Sequence, residues 1–193
     1  MRLVLIGDCT VGKTAFASKL TYGYYQNNHD TTIGVDYSAK TIPINNKAMV
    51  KCQIWDTAGQ EKFTPLIKTY YKNVAGVILI YDVTERNTFN RLHYWINEIQ
   101  KNTPLDYPIS KILIGNKIDL NRNVSHEEAS ILAKKNGFMY REMSVKNDIN
   151  VEESLVALAQ DIYKNKEENK GIKKSHIKYS TLNTEREPCC CIF

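Results

Sequence analysis

Residues 7–14 have the types and spacing of a phosphate-binding loop. They follow the short apolar run Leu3–Ile6 and match the pattern Gly-x-x-x-x-Gly-Lys-Ser/Thr with the sequence Gly7-Asp8-Cys9-Thr10-Val11-Gly12-Lys13-Thr14. In such a loop the backbone aims amide N–H groups at phosphate oxygens, the lysine neutralises the terminal phosphates, and the last hydroxyl binds Mg²⁺. A Gly-rich turn could also merely join a strand to a helix, but the complete pattern favours a nucleotide site. We predict that all of residues 7–14 contact phosphate and that Lys13 is also catalytic.

The segment Asp56-Thr57-Ala58-Gly59-Gln60 supplies a second part of the predicted phosphate site. Asp56 follows a predicted strand, where its carboxylate can help to hold a phosphate-bound Mg²⁺, an ion that takes few protein ligands in such sites. The Gly59 amide can donate to a γ-phosphate, and Gln60 can orient an attacking water. An aspartate at a strand end often only caps a turn, but the glycine and glutamine that follow favour the catalytic interpretation.

The segment Asn116-Lys117-Ile118-Asp119 has the residues needed to recognise guanine. The Asp119 carboxylate can accept two hydrogen bonds, from N1–H and from the exocyclic amine of guanine, whereas adenine has no such pair of donors. The aliphatic part of Lys117 can cover the ring while its ammonium stays in polar surroundings. Such a string alone could be any polar loop, but a phosphate loop elsewhere in the chain favours a guanine nucleotide.

Apolar runs typical of buried strands alternate along the chain with stretches of helical periodicity, which predicts an α/β fold with a mostly parallel sheet and helices on both faces. The predicted strands are Leu3–Ile6, Asp36–Ile44, Met49–Trp55, Val77–Tyr81, Lys111–Asn116 and Phe138–Met143. The second and third of these form a hairpin around Asn45-Asn46, which we expect to be the one antiparallel pair.

The predicted helices are Ala15–Tyr22, a short stretch ending near Asn73, one helix through Phe89, Leu92, Trp95, Ile96 and Ile99, one between Ser125 and Gly137, and one that Asn150 caps, with the stripe Val151, Leu155, Leu158 and Ile162. We interpret the aromatic residues of the third helix as core rather than ligand contacts. In the fourth, Ser125 and Glu128 form a capping box and Gly137 marks the end.

Ligands of parallel α/β sheets lie beyond the carboxyl ends of the strands. This rule places four segments that are distant in sequence on one rim of the sheet: Gly7–Thr14, Asp56–Gln60, Asn116–Asp119 and Ser144–Lys146. We therefore expect a single nucleotide site there.

The composition is that of an ordinary globular protein, with one domain over residues 1–165 and a flexible basic tail over residues 166–193. Residues 164–188 contain seven basic and four acidic residues and have little to bury. The net charge of +5 is too small to indicate nucleic-acid binding. The odd set of five cysteines does not favour a secreted disulfide framework, and we expect no signal peptide and, because Arg2 follows Met1, no N-myristoylation.

Over residues 1–165 and at its extreme C-terminus the sequence resembles small GTPases of the Ras superfamily, most closely the Rab family. The segments that carry the resemblance are Thr32-Ile33-Gly34-Val35-Asp36-Tyr37, Ile54–Phe63, Tyr70-Tyr71 and Leu79-Ile80-Tyr81-Asp82-Val83-Thr84. The resemblance implies a P-loop NTPase fold with a six-stranded sheet containing one antiparallel strand. It also implies a switch between GTP and GDP that hydrolyses GTP slowly, uses Mg²⁺, and recruits effectors to membranes in vesicle trafficking. Exchange factors, GTPase-activating proteins and escort or dissociation-inhibitor proteins are the other implied partners.

The resemblance also implies roles for individual residues. Thr32 would join Thr14 and Asp56 at Mg²⁺ and contact the γ-phosphate in the GTP state. Tyr25 would pack against guanine, and Ser144-Val145-Lys146 would complete the base site through the backbone amide of Val145. The implied effector-binding residues are Ile33, Gly34, Val35, Asp36, Tyr37, Trp55 and Tyr70. Ordinary core positions are the alternative for the aromatic residues Tyr37, Trp55 and Tyr70.

Three positions depart from the family pattern. Val145 stands where alanine is usual, which should change affinity only modestly because a backbone amide makes the contact. Cys9 stands near the γ-phosphate where serine or glycine is usual, so its bulk affects the expected hydrolysis rate. Lys72-Asn73-Val74-Ala75 replaces the usual Arg-Gly-Ala after the tyrosine pair.

Two alternatives to a GTPase switch follow from the same residues. Crowding by Cys9 could leave a membrane-tethered module that holds guanine nucleotide without turnover. A P-loop kinase that uses ATP would share the phosphate loop, although Asp119 disfavours it.

The C-terminal sequence Cys189-Cys190-Cys191-Ile192-Phe193 predicts a lipid anchor. Adjacent cysteines could bind a metal, but no partner ligands accompany them. The ending resembles the Rab double-geranylgeranyl motif, which makes Cys190 and Cys191 the lipidation sites. Two lipid chains, or one with a basic segment, anchor a protein stably. We therefore expect a protein on the cytoplasmic face of an intracellular or plasma membrane, with a cytosolic pool.

Overall fold

The computed structural model describes residues 1–25, 34–44, 48–57, 71, 74–103 and 109–181, with the backbone alone described for 169–181. The strands are β1 (Arg2–Ile6), β2 (Val35–Ile44), β3 (Ala48–Thr57), β4 (Gly76–Asp82), β5 (Ser110–Asn116) and β6 (Met139–Met143). The helices are α1 (Lys13–Tyr22), α2 (Arg86–Asn90), α3 (Leu92–Asn102), α4 (His126–Lys135) and α5 (Val151–Thr181). The predicted turn at Asn45-Asn46 and the predicted helical stretch ending near Asn73 lie outside the described residues.

The six strands form one sheet in the order β2-β3-β1-β4-β5-β6. Only β2 runs antiparallel to its neighbour, with Tyr37 opposite Trp55, and the other four pairings are parallel. The predicted mostly parallel sheet with one antiparallel strand is therefore confirmed. The parallel register also aligns strand ends, since Leu5 of β1 pairs with Asp56 of β3 and Asp82 of β4 pairs with Asn116 of β5.

Helices pack on both faces of the sheet, as the continuous apolar runs predicted. Successive residues of a strand face opposite sides. On one side Val4 joins a core cluster that includes Trp95 of α3. On the other side, the side chains of Leu3 and of Ile162 in α5 both lie close to Gly76 of β4. A Cβ added at Gly76 would come within 2.9 Å of Ile162 and 3.1 Å of Leu3.

The predicted helix around residues 89–99 is divided at Arg91 into α2 and α3. Arg91 keeps a helical conformation (φ −74°, ψ −8°), and the amide of Trp95 donates to the Arg91 carbonyl at 3.3 Å. The apolar spacing therefore continues across the junction, with Phe89 and Leu92 both buried. Periodicity alone could not reveal a junction that leaves the buried face unchanged.

The capping prediction for α4 is confirmed in its first half. Ser125 Oγ accepts a hydrogen bond from the Glu128 amide at 3.1 Å, and Gly137, which follows the C-cap residue Asn136, adopts φ +69°. The Glu128 carboxylate pairs with Arg86 of α2 at 2.5 and 2.6 Å. This side chain therefore joins two helices, a role that the capping pattern did not predict.

Asn150 lies directly before α5, at the position predicted for the helix cap. Its side-chain Nδ2 donates to the Glu142 carbonyl of β6 at 2.9 Å. The predicted stripe from Val151 to Ile162 is buried.

The backbone is helical to Thr181, so the predicted domain boundary at residue 165 falls within α5. Contacts divide the chain into two compact units, Met1–Ile162 and Tyr163–Phe193. Lysine and glutamate favour helix without any buried face, and Lys164 pairs with Glu168 one turn later at 3.9 Å. The boundary at 165 and the flexibility of the tail stay predictions. Within the described residues no helix is long and apolar enough to cross a membrane.

Candidate functional site: a rim for a guanine nucleotide

The carboxyl ends of β1, β3, β5 and β6 bring the predicted site segments together. Thr14 and Asp56 are in hydrogen-bond contact, although they are 42 positions apart in sequence. Asn116 contacts Val11 of the phosphate loop and Val145 of the loop after β6. The structure therefore brings the described parts of all four predicted segments to one rim.

The backbone of the phosphate loop requires its two glycines. Gly7 has φ +142° and Gly12 has φ +100°, a region that side chains rarely permit. A Cβ at Gly7 would collide with the carbonyl oxygen of Ile80, and one at Gly12 would collide with the Asn116 amide. Thr10 also adopts a left-handed conformation, with φ +61°. The loop is thus closely fitted to the strand ends beneath it.

Lys13 lies at the first position of α1 and folds back over the loop. Its Nζ donates to the carbonyls of Gly7 at 3.0 Å and Asp8 at 2.6 Å, and only 5% of the residue is exposed. Burial lowers the pKa of Lys13, while the nearby Asp56, Cys9 and Asp8 oppose that shift. A buried ammonium in this position gains stability from an added anion, which is the property a phosphate site needs.

The first turn of α1 and the end of β3 bring a hydroxyl and a carboxylate into contact. Thr14 Oγ1 donates to Asp56 Oδ2 at 2.6 Å, and Asp56 is 3% exposed. Thr57 Oγ1 donates to the Leu5 carbonyl at 2.7 Å and fixes the end of β3 against β1. A hydroxyl and a carboxylate suit Mg²⁺, which prefers oxygen ligands and keeps few from the protein at phosphate sites. Within the described residues, no group of three or more His, Cys, Asp or Glu side chains is arranged to hold a metal ion.

Asn116 links the phosphate end of the site to the base end. Its Nδ2 donates to the Val11 carbonyl at 2.8 Å, its Oδ1 accepts from the Val145 amide at 3.3 Å, and it is 3% exposed. Asn116 therefore contributes to the site by fixing the positions of two loops relative to each other. The Val145 amide was predicted to contact the guanine carbonyl, and here it is engaged by Asn116, so that contact stays a prediction.

Asp119 is held by the loop after β6. Ser144 Oγ donates to Asp119 Oδ1 at 2.6 Å and accepts from the Asn147 amide at 3.1 Å. Ser144 is fully buried and Asp119 is half-buried. A carboxylate that is fixed by one partner and still accessible is suited to accept hydrogen bonds from a base.

Lys117 forms an ion pair that the sequence did not predict. Its Nζ lies 2.5 Å from Oδ2 of Asp82 at the end of β4, and its backbone is left-handed, with φ +69°. Asp82 Oδ1 accepts from both the amide and the hydroxyl of Thr84, at 2.9 and 2.7 Å. The rule that parallel strands carry site residues at their carboxyl ends would have found Asp82.

Trp95 is a second contact to the site that the sequence did not predict. The residue is 1% exposed, as expected for the core. Its indole Nε1 also donates to Asp8 Oδ1 at 2.7 Å, and Arg91 Nε lies 3.1 Å from the same oxygen. No local pattern signals such a contact.

The predicted effector-binding residues that the structure describes lie on or next to strands β2 and β3. Tyr37 is 45% exposed, and its ring centroid lies 5.1 Å from that of the half-buried Trp55. Gly34, Val35 and Asp36 are exposed or half-buried at the start of the hairpin. The exposure of Tyr37 argues against an ordinary core position.

The predicted roles of Tyr25 and Lys146 at the base stay untested. Tyr25 is half-buried and Lys146 is exposed, and their contacts to a base stay predictions. The predicted residues that lie outside the described part of the chain are Thr32, Ile33, Gly59, Gln60, Tyr70, Cys190 and Cys191.

A comparison with known protein families agrees with this geometry. The model of the Ras family matches residues 2–164, which include every described residue of the rim. Because the match covers most of the chain and its phosphate and base segments meet in space, this protein belongs to the Ras family of small GTPases.

Proposed function

We propose that the protein is a Rab-like small GTPase, a switch that binds GTP and GDP, hydrolyses GTP and recruits effectors to membranes in vesicle trafficking. The observation that carries the nucleotide-binding part is the position of Asn116. Its one buried side chain bonds to Val11 in the phosphate loop and to Val145 in the base loop. That link fixes the separation of the two loops, as binding both ends of one nucleotide requires.

The phosphate end combines a buried ammonium with a pair of oxygen ligands. Thr14 and Asp56 would hold Mg²⁺, with Thr32 as a further proposed ligand. Mg²⁺ supplies positive charge that offsets the charge of the β- and γ-phosphates. Lys13 adds a second positive charge, and its contacts to Gly7 and Asp8 keep it over the loop.

The base end selects guanine through Asp119. Ser144 fixes one carboxylate oxygen, and the carboxylate is able to accept from the two adjacent donors of guanine. A site built for hydrogen bonds rejects analogues that leave its polar groups unpaired. Adenine nucleotides should therefore bind much more weakly.

Hydrolysis is proposed to depend on Gln60, which would orient the attacking water. We expect the intrinsic rate to be slow, because the sequence has no motif that places an arginine over the phosphates in cis. An activating protein that supplies one in trans could raise the rate by about 10³–10⁵.

The test is single-turnover release of phosphate from protein loaded with GTP. Gln60→Leu should lower the intrinsic rate by about tenfold or more, since a positioned polar group at the reacting water is lost. Gln100→Leu, an equivalent change at an exposed position of α3, should leave the rate unchanged. An unchanged rate in Gln60→Leu would remove this residue from the reaction. Bound GTP that the wild-type protein never hydrolyses would favour the binding module without turnover.

The Rab-like part of the proposal has two supports. The exposed Tyr37 and its neighbour Trp55 form a paired aromatic surface on the β2–β3 hairpin, and aromatic residues are enriched in interfaces. The C-terminal cysteines match the ending of geranylgeranylated proteins. We propose attachment through Cys190 and Cys191 to the cytoplasmic face of an intracellular or plasma membrane.

A further inference from the structure

The phosphate loop contains an acidic side chain whose charge opposes its ligand. Asp8 lies between Gly7 and Cys9, and its side chain is only 13% exposed. Its carbonyl oxygen accepts from the Lys13 ammonium at 2.6 Å. The carboxylate is thus close to a site for phosphates, and an unpaired charge there would repel them and attract Lys13 away from them.

Two side chains hold this carboxylate, one at the junction between α2 and α3 and one in the first turn of α3. Trp95 Nε1 donates to Asp8 Oδ1 at 2.7 Å, and Arg91 Nε lies 3.1 Å from the same oxygen. Arg91 and Trp95 are four positions apart, which places them on one side of a helical turn. Arg91 also brings a positive charge that offsets the charge of the carboxylate.

Trp95 is rigidly placed for this role. It is 1% exposed, belongs to the core cluster between α3 and the sheet, and meets the ring of Tyr94 edge-on at 5.1 Å. A donor fixed by the core defines where the Asp8 side chain lies. Because Asp8 is also bound to Lys13 through its backbone, the position of its side chain affects the shape of the loop.

We propose that Trp95 and Arg91 are positioning residues for phosphate binding that act through the Asp8 carboxylate, keeping it and its charge directed away from the phosphates. The inference rests on the proposed function, because it assumes that GDP binds in this loop. It adds to that function a dependence of phosphate affinity on side chains of α3 and of the junction before it.

The test measures the dissociation constants of GDP and of guanosine 5′-monophosphate by competition, with full-length protein. The monophosphate shares the base and sugar but lacks the β-phosphate, so the ratio of the two affinities reports on the phosphate loop. Trp95→Phe keeps an aromatic ring and removes the N–H donor. We expect it to lower the preference for GDP by about fivefold or more, as loss of a hydrogen bond to a charged group predicts.

Arg91→Gln is the second variant, because a side chain that is 43% exposed can be replaced without disturbing the core. It should lower the preference for GDP in the same direction. Ile96→Val, on the same helix but directed into the core, is the control. It should lower stability without changing the affinity ratio.

The decisive comparison places Trp95→Phe and Arg91→Gln in an Asp8→Ala background. If both act through the carboxylate, neither should change the affinity ratio once it is absent. Equal effects with and without Asp8 would overturn the inference, and so would a Trp95→Phe protein that is less stable but keeps the wild-type ratio. Wild-type protein that does not bind GDP would instead overturn the proposed function and this inference together.

Discussion

At the scale of single residues, the ion pair between Asp82 and Lys117 fixes the position of the Lys117 side chain at the predicted base site. Asp82 is 5% exposed, and each of its carboxylate oxygens is engaged, one by Thr84 and the other by the Lys117 ammonium at 2.5 Å. Lys117 also has a left-handed backbone. The pair therefore holds in place a residue whose aliphatic part is expected to cover the guanine ring.

Asp82→Asn should make GDP dissociate faster. The amide keeps the shape of the side chain but gives up the charge that fixes Lys117, so we expect the dissociation rate to rise by about three- to tenfold. Stopped-flow measurement with a fluorescent GDP analogue checks this. Glu152→Gln, which removes the carboxylate of a more exposed ion pair with Lys40, is the matched control and should leave the rate unchanged. A wild-type rate in Asp82→Asn would mean that Lys117 is held by other contacts.

At the scale of elements, a hydrogen-bonded network fixes β6, the strand that leads to the base loop. Glu142 accepts from Arg122 at 3.0 and 3.2 Å and from the Tyr140 hydroxyl at 2.8 Å, and His126 Nδ1 lies 3.4 Å away. Burial pushes the pKa of Glu142 upward, but the hydrogen bonds from Arg122 and Tyr140 outweigh it, so the pKa lies below its usual 4.5. Burial also raises the pKa of the neighbouring Tyr81 to about 12.

Because the pKa of Glu142 is lower in the folded protein, its contribution to stability is present above the unfolded pKa and is lost as pH falls through the folded pKa. Arg122→Gln should therefore lower the free energy of unfolding at neutral pH, by roughly 1 kcal/mol or less for a partly exposed pair. The difference from wild type should shrink as pH falls below about 4.5.

Urea unfolding at several pH values measures this difference. Arg141→Gln, at an exposed position of β6, is the control and should show no such trend with pH. A difference between Arg122→Gln and wild type that stays constant down to low pH would show that Glu142 is not the group responsible.

The same scale shows which elements a sequence can predict. The strand ends were predicted within about two residues, because buried parallel strands are continuous apolar runs with polar ends, while β2 and β3 show the alternation of a hairpin. The junction between α2 and α3 at Arg91 was not predicted, because the apolar spacing runs through it. The partner of Glu128 was also missed, since the capping pattern describes only the backbone bond to Ser125 and carries no information about Arg86.

At the scale of the whole molecule, sheet topology assembles the site from segments that are distant in sequence. The rule for parallel sheets was sufficient to place the phosphate loop, Asp56 and the base segments on one rim. The contact from Trp95 to Asp8 joins residues 87 positions apart. It depends on where a side chain of α3 meets the loop after β1, which only the packed structure defines.

The proposed attachment to a membrane depends on the C-terminal cysteines of the chain. Replacing both Cys190 and Cys191 with serine should move the protein to the soluble fraction of its own cell, because neither lipid chain can be added. Cys189→Ser is the matched control and should remain on membranes. Recovery of the double variant with membranes would contradict geranylgeranyl attachment at these residues. Fractionation followed by immunoblotting provides the measurement.

Binding of guanine nucleotides at the rim through the Asp119 carboxylate can be measured as the relative affinities for GDP and ADP. Equilibrium competition with purified wild-type protein should show GDP preferred by at least about 10³, since adenine lacks the two adjacent donors that guanine presents to the Asp119 carboxylate. Asp119→Asn should reduce that preference mainly by weakening GDP binding. Equal affinities for GDP and ADP in the wild-type protein, or an unchanged preference in Asp119→Asn, would show that this carboxylate does not select guanine.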